Sequence, residues 1–202
     1  MLAAGNAADV YELTLAETQA LDVGSSFSAD FIGEPVPTLA EILALAKGKI
    51  KVNIELKYYG QDVKLAERVV DVVREAGMVD EVVIMSLYFI GVEDVQRFAP
   101  EITTGFLVSD LTFGDETALD VDFLAVSANL ATTRFVRDTH AADKELYVWT
   151  LNDAESVDTF LNRGVDSIIT DYPVMVREQI LVREALTSTE KLLLAISDLL
   201  SQ

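Results

Sequence analysis

Lys51-Val52-Asn53-Ile54-Glu55-Leu56-Lys57 places apolar Val52, Ile54 and Leu56 on one side of an extended chain and Asn53, Glu55 and Lys57 on the other. A helix-like segment ends before it at Lys47-Gly48-Lys49, and Tyr58-Tyr59-Gly60-Gln61-Asp62 reads as a loop after it. The polar side chains therefore gather at the C-terminal end of a strand. In parallel α/β proteins that end carries the ligand.

Upstream, Thr14-Leu15-Ala16-Glu17 has capping-box form and predicts a short helix through Leu21, broken at Gly24-Ser25-Ser26. Pro35-Val36-Pro37 forces an extended entry to a second capping box, Thr38-Leu39-Ala40-Glu41, whose helix carries Leu39, Ile42, Leu43 and Ala46 on one face. Downstream, short apolar runs alternate with longer segments of helical period. The predicted strands are 49–56, 81–86, 103–108, 121–127, 146–151 and 167–170, and the helices between them 63–75, 92–98, 132–142 and 153–163, the first and last ended by Gly77 and Gly164. An irregular acidic connection through Asp110, Asp115 and Glu116 joins the third and fourth strands, and Pro173 stands near the start of a long final helix.

Six strands in β/α alternation imply a parallel sheet with helices outside it. The expected fold class is α/β, an incomplete (β/α)8 TIM barrel lacking about its first two strands. Residues 1–187 would form that partial barrel. Residues 188–202 would be a C-terminal helical extension whose stripe of Leu192, Leu193, Leu194, Ile196, Leu199 and Leu200 must pack on something.

With 34 acidic and 15 basic residues the formal net charge is −19, which repels nucleic acid and anionic membrane surfaces. The expectation is a soluble chain with no signal peptide or membrane segment, its compartment left open. The absence of cysteine excludes disulfides and thiolate metal sites. An acidic chain suits a hard divalent cation, and a small phosphate-bearing ligand requires a cation or a local lysine to offset the field.

Glu55 and Lys57 project to one face of their strand, and two readings follow. One is an interior ion pair. The other is a site in which the carboxylate ligates a metal and the ammonium meets a phosphate or a developing oxyanion; a Schiff base on Lys57 is a further chemistry for such a lysine. In Trp149-Thr150-Leu151-Asn152 the lone tryptophan would wall a pocket and Asn152 would orient a substrate hydroxyl, against a packed aromatic and a polar helix entry. Asp171, in Thr170-Asp171-Tyr172-Pro173, either caps the helix that follows or touches a ligand. Ser86 has no activating base nearby in sequence, and His140, the only histidine, falls on an outer helix away from the loop face.

The order Val36-Pro37-Thr38-Leu39-Ala40-Glu41, Asn53-Ile54-Glu55-Leu56-Lys57, Trp149-Thr150-Leu151-Asn152 and Gly164 to Pro173 resembles the glycerophosphodiester phosphodiesterase family, over about Asp9 to Val176. The resemblance implies a TIM barrel that hydrolyses glycerophosphodiesters to an alcohol and sn-glycerol 3-phosphate with a divalent cation, calcium or magnesium. It implies Glu55 as a metal ligand, Lys57 as the lysine facing the substrate phosphate, and Trp149 as the wall on the glycerol side. In that family a preceding region supplies a His-Arg pair, a Glu-Asn-Thr motif, a Glu-x-Asp metal pair and a His-Asp motif, none of which occurs here. The expectation is therefore little or no hydrolysis by this chain alone and weak or absent metal binding. The alternative is a non-catalytic module that pairs, or self-associates, through open sheet edges and its C-terminal helix.

Overall fold

The computed structural model describes residues 5, 8–58, 64–109, 114–187, 189, 190, 193, 194 and 196. The loop expected at 59–62, the helix start expected at Val63, Asp110, and Leu192, Leu199 and Leu200 of the extension lie outside the described residues. The strands are β1 (Val52–Leu56), β2 (Val82–Ser86), β3 (Thr103–Val108), β4 (Phe123–Ser127), β5 (Glu145–Trp149) and β6 (Ser167–Ile168), hydrogen-bonded in that order. The pairs β3/β4, β4/β5 and β5/β6 are parallel. The helices are α1 (Leu15–Gln19), α2 (Leu39–Ala46), α3 (Leu65–Ala76), α4 (Phe89–Phe98), α5 (Thr133–Ala141), α6 (Ala154–Arg163) and α7 (Pro173–Glu184). Only a short 3-10 turn, Glu116–Ala118, is found among the described residues between β3 and β4. The chain divides into two compact units, 1–83 with 94–102, and 84–93 with 103–202.

In the first unit, α1 and α2 open with the reciprocal caps read from sequence. The Glu17 and Glu41 carboxylates accept the backbone N–H of Thr14 and Thr38 at 2.8 and 2.7 Å, and each threonine hydroxyl accepts from the N–H of its glutamate. β1 starts later than predicted because Gly48 adopts φ 69° and the N–H groups of Lys49 and Ile50 turn back to the Ala46 carbonyl. α3 buries Ala66, Val69, Val70 and Val73 and packs on α2. Gly77 ends it with φ 63°, a left-handed conformation that glycine takes without a Cβ penalty.

The capping hydrogen bonds hold the Glu17 and Glu41 carboxyls below the ordinary value. A carboxyl whose folded value is depressed contributes stability above its unfolded value, 4.5 for Glu41, and loses that contribution as the pH falls through the folded value. Glu41→Ala is therefore expected to lower the urea midpoint at neutral pH. The gap from the parent chain should close below pH 4.5; an equal gap at neutral and acid pH would show that the cap carries no charge-dependent stability.

In the second unit the two faces of the sheet differ. Leu124, Val126, Leu146 and Val148 join Val136, Val157, Phe160 and Val176 of α5, α6 and α7 in the main apolar core. The opposite face carries Gly105, Phe123, Ala125, Tyr147, Ser127 and Trp149, with Gly105 opposite Phe123, Ala125 opposite Tyr147 and Ser127 opposite Trp149. Phe123 stacks on Tyr147 at 4.3 Å between ring centres, and a Cβ on Gly105 would fall 2.2 Å from the Phe123 ring. Glycine at position 105 is thus a requirement of that stack.

The N-terminal ends of the even strands are fastened by one recurring device. Glu81, one residue before β2, accepts the Gly48 N–H at 2.7 Å. Asp122, before β4, accepts the Thr104 N–H at 2.7 Å, and Asp166, before β6, the Leu146 N–H at 2.8 Å. Each carboxylate satisfies a backbone donor near the start of the preceding odd strand.

Candidate functional site

Glu55 is the fourth residue of β1, and Lys57 follows the strand's last residue, so both stand at its C-terminal end. The Lys57 Nζ lies 3.4 Å from the Glu55 carboxylate, with side-chain exposures of 57% and 25%. An ammonium more than half exposed is not the buried partner of an interior pair. Screened by solvent, the pair adds little to stability. The charge is instead presented to the medium at the strand end, beside the Glu55 carboxylate.

What fixes this segment was not read from the sequence. The Tyr58 hydroxyl contacts the Asp94 carboxylate on α4 at 3.4 Å and accepts the Ala66 N–H at the start of α3 at 3.2 Å. Asp94 is 8% exposed and pairs with Arg97 one turn on. A buried charge needs such partners, and here they tie the residue after Lys57 to two helices. The available signal was an acid on the apolar side of α4, between buried Val92 and Val95.

In the second unit, Trp149 is half-buried at the end of β5, and its indole N–H donates to the Ala125 carbonyl at 3.2 Å, which sets the ring orientation. Below it on the same face, Tyr147 donates to Glu145 at 2.9 Å. Burial first, and that carboxylate second, push the Tyr147 phenol up, so it stays protonated at any ordinary pH.

Asn152 is exposed, but its amide is largely committed. Its Oδ1 accepts from the Thr170 hydroxyl at 3.1 Å and the Asp171 N–H at 2.9 Å, and its Nδ2 donates to the Asp171 carboxylate at 2.7 Å. Its second amide N–H makes no hydrogen bond among the described residues. Asp171 does not cap α7, whose N-cap is Tyr172 with no side-chain cap bond. These same contacts explain why β6 is only two residues long: Thr170 and Asp171, expected to continue or flank the strand, turn toward Asn152 instead.

Ser86 is fully buried, and its hydroxyl accepts the Tyr88 N–H at 3.0 Å, which starts α4 earlier than predicted. His140 Nε2 lies 2.8 Å from the Asp166 carboxylate, at the N-terminal end of β6 and so at the opposite strand end from Trp149 and Asn152 within this unit. Within this unit no imidazole accompanies Trp149 and Asn152.

Calcium and magnesium take several oxygen ligands. Among the described residues no three carboxylate or histidine side chains gather to hold a metal ion, and Glu55 is one carboxylate already facing an ammonium. The described residues do not by themselves fit a resident divalent cation. No helix among the described residues is long and apolar enough to cross a membrane.

The glycerophosphoryl diester phosphodiesterase family matches residues 3–175. A glycerophosphodiester phosphodiesterase of Caldanaerobacter subterraneus subsp. tengcongensis is 30% identical over 174 residues, covering 81% of this chain and 70% of that protein. Among solved structures, an Oleispira antarctica phosphodiesterase in complex with the product sn-glycerol-3-phosphate superposes with a TM-score of 0.80 at 25% identity, covering 86% of this chain and 72% of that one. A glycerophosphodiester phosphodiesterase of Agrobacterium tumefaciens, at 23% identity and a TM-score of 0.71 over 84% of this chain and 73% of that one, shares the fold. With six strands in sequence order and polar residues at their C-terminal ends, the chain belongs to the glycerophosphoryl diester phosphodiesterase family.

Proposed function

We propose that this chain holds the glycerophosphate part of a glycerophosphodiester and that, by itself, it hydrolyses little or none of it. The family resemblance gives Lys57 of the first unit the role of the cation for the phosphate, and within the second unit Trp149 that of the wall for the glycerol carbons and Asn152 that of an amide donor for a hydroxyl. The observation that carries the binding role is the exposed Lys57 ammonium at the end of β1, the kind of preorganised charge an anionic group requires in a chain of net charge −19. The Oleispira relative's complex with sn-glycerol-3-phosphate supports the same ligand.

The catalytic deficit rests on the lone histidine. Hydrolysis of a phosphodiester needs a group to take the proton of the attacking oxygen and another to protonate the leaving alkoxide. His140 is engaged with Asp166 at the other strand end, and Glu55 alone does not gather a cation. Residues 1–187 act as one partial barrel in this reading, and 188–202 as an extension. A capping box from Thr187 to Glu190 supports that boundary, the Thr187 N–H donating to Glu190 at 2.9 Å.

The test is a titration with sn-glycerol 3-phosphate in a chelator, followed by the emission of Trp149, the only tryptophan. Saturable quenching is expected, with affinity in the millimolar range, worth about 4 kcal/mol. A flat response with the chain folded removes the binding role.

A second reading is an interaction module. The strand order leaves β1 and β6 as end strands, and Leu193, Leu194 and Ile196 are exposed. Light scattering on the purified chain separates the two, because an obligate module would not run as a monomer.

A further inference from the structure

Charge is unevenly placed along the first unit. Residues 1–46 contain seven acids and no basic residue, whereas Lys47-Gly48-Lys49-Ile50-Lys51 contains three lysines and no acid. The acidic part includes a closed loop from Asp22 to Glu34. The Val23 N–H donates to the Glu34 carbonyl at 3.0 Å across its base, and the Asp22 carboxylate accepts the N–H groups of Gly24, Ser25 and Gly33 at 3.1, 2.9 and 2.9 Å. This bonded loop turns apolar side chains outward: Phe27 is 84% and Ile32 70% exposed. Asp30 and Glu34, both exposed, flank Phe31 and Ile32 in the chain. The turn between α2 and β1 has the same build and the opposite sign. Leu45 and Ile50 are 69% and 66% exposed, and Lys49 and Lys51, on either side of Ile50, have no ion-pair partner among the described residues. The turn is fixed as well, because the Lys47 ammonium donates to the Ala76 carbonyl and the Gly48 N–H to Glu81.

We infer that the Asp22–Glu34 loop of one copy of this chain docks on the Lys47–Lys51 turn of a second copy, with Phe27 and Ile32 covering Leu45 and Ile50, and Asp30 and Glu34 meeting Lys49 and Lys51. The inference rests on neither reading of function above, and its surface is distinct from the sheet edges and the C-terminal residues. An apolar centre rimmed by charge is the build of a protein interface, and each patch supplies the sign that the other lacks. A lipid surface is a poorer match: an anionic one attracts the turn and repels the loop, and a zwitterionic one leaves the loop's excess of acid unpaired. The net charge of −19 opposes the approach of two copies. At about 0.15 M salt the Debye length is about 8 Å, so that repulsion is screened beyond contact while the facing charges still pair. Because the two patches differ, each contact leaves one loop and one turn to close a ring or to extend a chain.

The test is sedimentation velocity on the full 202-residue chain at about 0.15 M salt, over a range of concentrations up to about 1 mM. The mass is expected to rise with concentration above the 22.1 kDa of one copy. Phe27→Ser and Ile50→Ser should each weaken the association about tenfold, as loss of a central apolar contact does. Two charge-reversed chains carry the decisive comparison, one with Asp30→Lys and Glu34→Lys, the other with Lys49→Glu and Lys51→Glu. Each should run as a monomer alone, since its loop and turn then bear the same sign. An equimolar mixture should associate again, the reversed loop of the first meeting the reversed turn of the second. That rescue separates a broken contact from a broken fold, because mixing restores nothing to an unfolded chain. A monomer at every concentration, association unchanged in Phe27→Ser or Ile50→Ser, or a mixture that stays monomeric would each overturn the inference. A monomeric chain that binds phosphatidylcholine vesicles, and loses that binding in Phe27→Ser, would overturn it too by placing a lipid on the loop.

Discussion

Gly105→Ala is expected to destabilise the chain by about 3 kcal/mol, a large part of the total stability of an ordinary domain. The new methyl would stand 2.2 Å from two carbons of the Phe123 ring, far inside contact distance. The ring cannot swing aside, because Phe123 is fully buried and its other face is stacked on Tyr147 at 4.3 Å. Strain enters the strand pair that supports Trp149, so the emission of Trp149 should change with the urea midpoint. Phe123→Leu in the same chain should recover part of the loss, since neighbours in contact are not additive. A Gly105→Ala chain within about 0.5 kcal/mol of the parent would mean that the sheet there is looser than described.

Lys57→Ala is expected to weaken sn-glycerol 3-phosphate binding about tenfold and to leave the urea midpoint nearly unchanged. The two effects separate because the Glu55–Lys57 pair is exposed on the lysine side, and such pairs contribute between about zero and 1 kcal/mol to stability. A direct contact between an ammonium and a phosphate is worth more, since the ligand brings its own charge to a fixed partner. Glu55→Gln should act in the opposite direction in a chelator, because it removes the carboxylate that competes for Lys57 and repels the phosphate. Lys57→Arg should retain part of the affinity, the charge being kept and its reach changed. If Lys57→Ala binds as the parent does, the phosphate is held elsewhere.

Much of this architecture was legible because its signals are local. The capping boxes at Thr14 and Thr38, the left-handed Gly77 and Gly164 and the polar face of β1 each depend on residues within a turn of one another. The strand-end carboxylates were not legible, because the partners of Asp122 and Asp166 lie 18 and 20 residues away and nothing local marks them. Asp94 is similar: its place on the apolar side of α4 was visible, but Tyr58, 36 residues earlier, was not predictable as its partner. Glu55 and Lys57 were legible from the alternation of β1, and Trp149 from its place at the end of a short apolar run. The competition between capping and ligand contact at Asp171 needed three-dimensional structure, since only the geometry assigns its side chain to Asn152 rather than to α7.

On the function proposed above the chain holds a glycerophosphate and hydrolyses little of it, since among the described residues no carboxylate or histidine cluster gathers for a metal and the lone histidine pairs with Asp166. The measurement that bears on it most directly is hydrolysis of glycerophosphocholine and glycerophosphoethanolamine by the purified 202-residue chain, with calcium or magnesium and with a chelator as control. The expected result is release of sn-glycerol 3-phosphate at the background rate under all three conditions. Metal-dependent turnover above background, lost in the chelator, would contradict it.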